Sequence, residues 1–155
     1  MTKPDRLRLR AEDLDDLMVI AAVLQDARIT LREMVYARDE KRFMAAFNRY
    51  RRETLDDIEC KDGWTRCQTA LVIGAVESVQ WRGIDTSDLD RELQIFTMLG
   101  LSAEEGYELM LIFTDEGAIR LNLGDISVQL QDFGECECCN PPEPIVDVQP
   151  ATSDG

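Results

Sequence analysis

The sequence predicts an α+β fold, with one N-terminal helix packed on a mainly antiparallel sheet of about six strands. Three observations predict it. One stretch, residues 11–25, carries apolar residues at helical spacing. Nearly everything after it consists of short apolar runs divided by turn-forming residues. The end of the chain, residues 135–155, has no Lys or Arg, four Pro and little periodicity. It is expected to be a disordered acidic tail, which places a single domain at residues 1–135 and the tail at 136–155.

The elements follow in order. Residues 1–6 read as a polar lead-in, and Leu7-Arg8-Leu9 as a brief strand. In the helix, Leu14, Leu17, Met18, Ala21, Ala22 and Leu24 share one broad face, and acidic residues fill the first turns, where the helix dipole favours them. Residues 29–38 and 42–51 are expected to be strands around the polar turn Arg38-Asp39-Glu40-Lys41. Phe43, Phe47 and Tyr50 also fit a helical stripe, but the turn pairs this segment with the one before it. Residues 54–63 read as a loop, and 68–81 as one strand kinked at Gly74. Residues 83–90 form a connector, and 93–99 and 109–114 are further strands. Asp115-Glu116-Gly117 is a hairpin signal leading into 118–123. Residues 126–133 suit a strand or a helix; with Asp125 as cap and Ile126, Leu130 and Phe133 on one face, a short C-terminal helix is expected. The sheet is open to closing as a half-barrel of pleckstrin-homology type.

Among 155 residues, 17 Lys+Arg oppose 31 Asp+Glu, a formal net charge of −14. Clustered cations, which nonspecific binding to duplex DNA requires, are lacking, so no duplex DNA partner is expected. There is no histidine. That excludes His-based acid–base chemistry, Ser-His-Asp and Cys-His triads, and zinc sites built on imidazole. The longest apolar run, residues 17–24, is far short of the roughly 20 residues that span a bilayer, so no membrane association is expected. The five cysteines, three of them crowded at 136–139, do not form the even pattern of a secreted disulfide framework. A cytoplasmic protein is the expectation.

Four stretches together carry a resemblance. They are Asp13-Leu14-Asp15-Asp16-Leu17 through Leu24-Gln25-Asp26-Ala27, Lys41-Arg42-Phe43 through Asn48-Arg49-Tyr50, Arg82-Gly83-Ile84-Asp85, and Gly117-Ala118-Ile119-Arg120-Leu121. In this order and spacing, over about residues 7–135, the chain resembles the bacterial domain of unknown function 2948 family. The resemblance implies a helix followed by a mostly antiparallel sheet with a terminal helix, and no chemistry. The chain departs from the family at Arg51-Arg52, where members tend to carry a nearby tryptophan, and in its cysteine-rich tail. The polar residues of the four stretches, Gln25, Asp26, Asn48, Arg49, Arg82, Asp85 and Arg120, are the candidate binding residues.

Arg49 follows Phe43, Ala45 and Phe47 at period two, which points it inward. A buried arginine keeps its charge and needs a carboxylate; Asp26 and Asp85 are the candidates. Lys41, Arg42, Arg49, Arg51 and Arg52, interleaved with aromatics, also suit a strand that binds single-stranded RNA. The weightier reading puts the aromatics in the core and the arginines against an acidic surface. Cys136, Cys138 and Cys139 are candidate thiolate ligands, but the paired knuckles of structural zinc sites are missing and acidic neighbours raise thiol pKa. Incidental thiols, no metal and no cofactor are expected. Asp85 to Asp90 lacks the glycine and the glutamate of a calcium loop. No phosphate-binding loop occurs.

The expected function is a non-catalytic cytoplasmic interaction domain that binds a protein partner through a sheet edge or a groove beside the helix. The alternatives are an enzyme with a carboxylate or arginine site visible only in the fold, and a metal or redox role for the tail cysteines.

Overall fold

Asp13 starts the helix. Its backbone is extended and its side chain accepts the N–H of Asp16 at 2.8 Å, with Asp15 and Asp16 in the first turn. Helix α1 (Leu14–Leu24) buries Leu17, Ile20 and Leu24. It stops where Gln25 turns extended and Asp26 takes a left-handed φ of 69°. The Asp26 N–H then donates to the Ile95 carbonyl at 3.1 Å, so the chain leaves the helix directly onto the sheet.

The computed structural model describes residues 7–51 and 65–138. The lead-in at 1–6, the loop expected at 54–63 and the tail from 139 lie outside the described residues. No described helix is long and apolar enough to cross a membrane. Ten strands are present in the described residues: β1 (Arg8–Ala11), β2 (Arg28–Thr30), β3 (Met34–Ala37), β4 (Arg42–Arg51), β5 (Thr65–Ile73), β6 (Val76–Arg82), β7 (Glu92–Ser102), β8 (Tyr107–Phe113), β9 (Ala118–Leu123) and β10 (Val128–Cys138). They form one antiparallel sheet in the order β1-β10-β5-β4-β2-β7-β8-β9-β6, with β3 paired to β4.

Consecutive strands β5 and β6 sit in opposite halves of that order. They are joined only by Gly74 and Ala75, the latter at φ 55°. The Gly74 N–H donates to the Ser127 carbonyl (2.8 Å) and the Gly124 N–H to that of Ala75 (2.9 Å), which fixes the corner on both sides. Such a corner curls the sheet until its halves face each other. The far edge therefore returns to β4: the Val76 N–H donates to the Lys41 carbonyl at 2.8 Å, Lys41 pairs with Glu77, and the Phe43 and Trp81 rings lie 6.5 Å apart. One core results, with Phe43, Phe47, Leu71 and Ile73 from one half, Leu109, Leu111, Ile119 and Leu121 from the other, and Leu17, Ile20 and Leu24 from α1.

This architecture corrects the expected six-stranded sheet, half-barrel and C-terminal helix. Ten strands replace about six: of the seven segments expected as strands two divide, and the segment expected as a C-terminal helix is a strand. Residues 29–38 become β2 and β3 around a 3₁₀ turn (Leu31–Glu33), and 68–81 becomes β5 and β6 around the corner. The expected C-terminal helix is the first half of β10. Val128, Leu130 and Asp132 are buried while Gln129 and Gln131 are exposed, which is period two. Phe133, which the helical face needed inside, is 37% exposed. Asp125 caps no helix; its carboxylate accepts the N–H of the next residue, Ile126. The sequence carries both periods, and pairing with β5 and β1 selects the strand. β10 continues to Cys138.

The β7–β8 turn depends on Gly106. It has a φ of 83°, and a Cβ there would lie 2.1 Å from the Leu123 carbonyl oxygen. Gly106→Ala is expected to destabilise the fold by about 2 kcal/mol or more in chemical denaturation, through left-handed strain together with a backbone clash.

Candidate functional site

Helix α1 packs directly over Gly100 of β7. A Cβ on Gly100 would lie 2.8 Å from Leu17 Cδ1 and 3.0 Å from Leu14 Cδ2, so the missing side chain sets how closely the two elements approach. Beside this contact β7 carries a bulge. Ile95 pairs with Phe113 and Thr97 with Ile112, which leaves Phe96 as the extra residue. A bulge re-aims the side chain it inserts. Leu93, Ile95 and Met98 point into the core, while Phe96 is 58% exposed.

A groove of about 470 Å³ lies between the two elements, lined by Met18, Ala21 and Ala22 of α1, by Gln25 at its end, and by Phe96 and Leu99 of β7, among others. Met18 is 71% and Leu99 46% exposed. Asp15 lines one end, close to Glu12, Asp13 and Asp16, and no cation lines the groove among the described residues. The groove is therefore apolar along its length and acidic at one end.

The candidate residues do not converge on one site; two of them, Arg82 and Arg120, share a hollow. Gln25 lines the groove, and Asp26 beside it accepts from Gln94 Nε2 through its carbonyl at 3.4 Å. Arg82 and Arg120 come together on the outer face of β6 and β9, in a hollow of about 350 Å³ that also holds Trp81 and Glu108. Arg120 is paired there with Glu108 at 2.6 Å. Asp85 does not line that hollow. It accepts from the hydroxyl (2.6 Å) and N–H (3.0 Å) of Ser87, and these bonds hold its carboxyl below the usual carboxylate range. The bond from Arg32 does the same for Asp90, and raises the Arg32 guanidinium in return.

Arg49 is inside, 1% exposed, as period two requires. Its carboxylate is neither Asp26 nor Asp85 but Asp132 of β10, itself 2% exposed. The pair is bidentate: Arg49 Nε donates to Oδ1 at 2.8 Å and Nη2 to Oδ2 at 2.6 Å. The Leu7 N–H adds a bond to Oδ2 at 3.3 Å. Asn48, the neighbour of Arg49 on β4, is half-buried on the other face, opposite Gln68 and Arg28.

The cysteines also differ from expectation. Cys67 of β5 and Cys136 of β10 form a disulfide, with Cα atoms 4.4 Å apart, and Cys138 is disulfide-bonded as well. Cross-linking thus replaces incidental thiols. A disulfide sulfur is not the thiolate that the metal alternative asks of Cys136 and Cys138. Cys139 lies outside the described residues.

Sequence reasoning missed Phe96 and Asp132. The run Leu93-Gln94-Ile95-Phe96-Thr97-Met98-Leu99 holds more apolar residues than one face of a strand accepts, which is the trace a bulge leaves. Asp132 ends the inward column Val128-Leu130-Asp132, and appears once that segment is read as a strand.

Two outcomes follow from these contacts. Arg49→Ala leaves the buried Asp132 carboxyl without its bidentate partner, and should cost about 3–5 kcal/mol in urea unfolding. Replacing both, as Arg49→Met with Asp132→Leu, should recover most of that loss. For Asp90, a folded pKa lowered below the unfolded one gives stability that is present above about pH 4 and lost as pH falls through the lowered value. The Tm difference between wild type and Asp90→Asn should therefore hold steady from about pH 8 to about pH 5 and shrink below about pH 4.

Residues 7–143 match the family described as Protein of unknown function (DUF2948). No curated protein and no solved structure matches the chain. The match takes in every element described above, from β1 to β10, and the chain belongs to that family.

Proposed function

We propose that the chain is a non-catalytic protein-interaction domain of the cytoplasm, and that it docks a segment of a partner protein in the groove between α1 and β7. The single observation that carries this reading is Phe96. A bulge turns a large aromatic side chain outward beside exposed Met18 and Leu99, although a soluble surface gains nothing from showing them together. Large aromatic anchors surrounded by apolar contacts are what interface centres are made of.

The groove's chemistry supports one class of occupant: an amphipathic segment with two or three apolar anchors and Lys or Arg at one end. The anchors would cover Phe96, Met18 and Leu99, and the cation would meet Asp15 and its acidic neighbours. A second copy of the chain is disfavoured by repulsion between two bodies each of formal charge −14. The enzyme alternative would draw support from polar groups converging in a cavity. The groove lining is mainly apolar, Arg49 and Asp132 are engaged with each other, and in the polar hollow on β6 and β9 Arg120 is paired with Glu108.

Selection of phage-displayed peptides on the full chain tests the reading. Peptides with apolar anchors and a basic flank are expected. Phe96→Asp should weaken them about 10- to 100-fold, the loss of one buried aromatic contact, without lowering Tm. Val35→Asp, at an exposed position on β3, should leave them unchanged. Peptides without basic residues, peptides indifferent to Phe96→Asp, or a dimer joined through the groove would overturn it.

A further inference from the structure

β7 outruns its neighbour on one side. Toward β8 it is paired from Ile95 to Ser102. Toward β2 its strand partners end at Gln94. The last backbone contacts on that side belong to Ile95, whose N–H donates to the Ala27 carbonyl at 2.9 Å and whose carbonyl accepts the Asp26 N–H at 3.1 Å. From Phe96 to Ser102 no strand lies on that side among the described residues, and no backbone hydrogen bond to α1 replaces one. Alternate residues of a strand turn N–H and C=O to the same side, so this stretch is an open edge in the middle of the strand order.

What stands beside the open edge is α1. Leu14 and Leu17 lie over Gly100, and the helix ends where Asp26 bonds to Ile95, so α1 runs back along β7 in the opposite direction. Its 11 residues span about 16 Å, the length of roughly five residues of extended chain. A helix bonds its backbone groups internally and offers a neighbour only side chains, so it leaves the edge unpaired. The groove between the two is lined on the helix side by Ala21 and Ala22, which leave room for another backbone. β1 and β6 end the strand order and also have a free side, but only the open edge of β7 lies along the apolar groove.

The form of the occupant follows, on the docking reading above. We infer that the partner segment binds as an added β-strand, antiparallel to β7, hydrogen-bonded to the free edge along Phe96 to Gly100 and flanked by α1. Main-chain bonds then supply affinity, and alternate side chains supply specificity. Positions i and i+2 of the segment lie beside Phe96 and Leu99, and the position between them turns toward Met18, Ala21 and Ala22. The antiparallel direction is that of every other pair in the sheet, and parallel pairing is slightly weaker. Direction also fixes the order of charge. Asp15 and its acidic neighbours stand at the Gly100 end, and an antiparallel strand has its N-terminus there. The Lys or Arg of the segment therefore precedes its apolar anchors.

The test takes peptides selected on the full chain and methylates their backbone nitrogens one at a time. An added strand turns only every second N–H toward β7. Methylation at alternate positions should weaken binding at least about tenfold, and methylation between them by less than about threefold. The anchors should sit at i and i+2, with the basic residue on their N-terminal side. In the complex, hydrogen exchange within Phe96–Gly100 should slow at least about tenfold, while Leu93 and Ile95, already paired, should not change. Anchors at i, i+3 and i+4, or methylation that acts equally at every position or at none, would overturn the added strand. Phe96→Asp would still weaken such peptides, so the groove itself would stand. Basic residues on the C-terminal side of the anchors would overturn the antiparallel direction. Peptides indifferent to Phe96→Asp would overturn both the strand and the docking reading beneath it.

Discussion

Between Ile73 and Val76 the chain has two residues in which to leave one half of its sheet and begin the other. Everything else in the molecule is arranged around that corner. Because β5 lies inside one half and β6 at the edge of the other, a flat sheet is impossible; the halves must face each other and share a core. Ala75 accepts a left-handed conformation there, held by hydrogen bonds to Gly124 on one side of the corner and to Ser127 through Gly74 on the other. The return of β6 against β4 places Trp81 on Phe43 and Lys41 beside Glu77, so the far edge closes onto a strand inside the near half.

A curled sheet still has an open flank, and α1 covers part of it, in contact with β7, β1 and β4. Two local departures from regularity shape what remains uncovered. Gly100 brings the helix down onto β7, and the bulge at Phe96 moves an apolar residue from the inner face to the outer one. Neither feature stabilises the core by itself. Together they make an apolar channel on a strongly acidic body, and that pairing of properties is the basis of the functional reading.

Several elements are legible in the sequence, the architecture they build is not, and the failures share one cause. The helix, β4 with its bounds at 42 and 51, and the β8–β9 hairpin follow from local signals: an apolar face with acidic first turns, a turn-flanked alternation and Asp115-Glu116-Gly117. What local signals do not carry is the neighbour. Residues 126–133 fit a helix and a strand about equally, and only β5 and β1 decide between them. The inward direction of Arg49 follows from period two along one strand. Its partner does not, because Asp132 sits on the segment expected to be helical. Gly74 reads as a kink, yet nothing near it says that the strands on either side belong to different halves of a sheet. The candidate residues suffered in the same way: they were neighbours in four short stretches of sequence, and the fold sends those stretches to three separate places.

The pairing of β1 with β10 bears on how the chain emerges from the ribosome. Leu7 and Asp132 exchange hydrogen bonds across 125 positions of sequence. At translation rates of about 5–20 residues per second, the first strand waits roughly 6–25 s for its partner to be synthesised. For roughly 4–17 s of that interval Arg49, 83 positions before Asp132, lacks its carboxylate, and α1 and β4 have been made without the second half of the core that would cover them. Contacts of such long range make folding slow and leave apolar surface uncovered in the meantime. The excess of acidic over basic residues then acts as a solubilising coat for the nascent chain, keeping half-built copies apart until β10 arrives and pairs with β1.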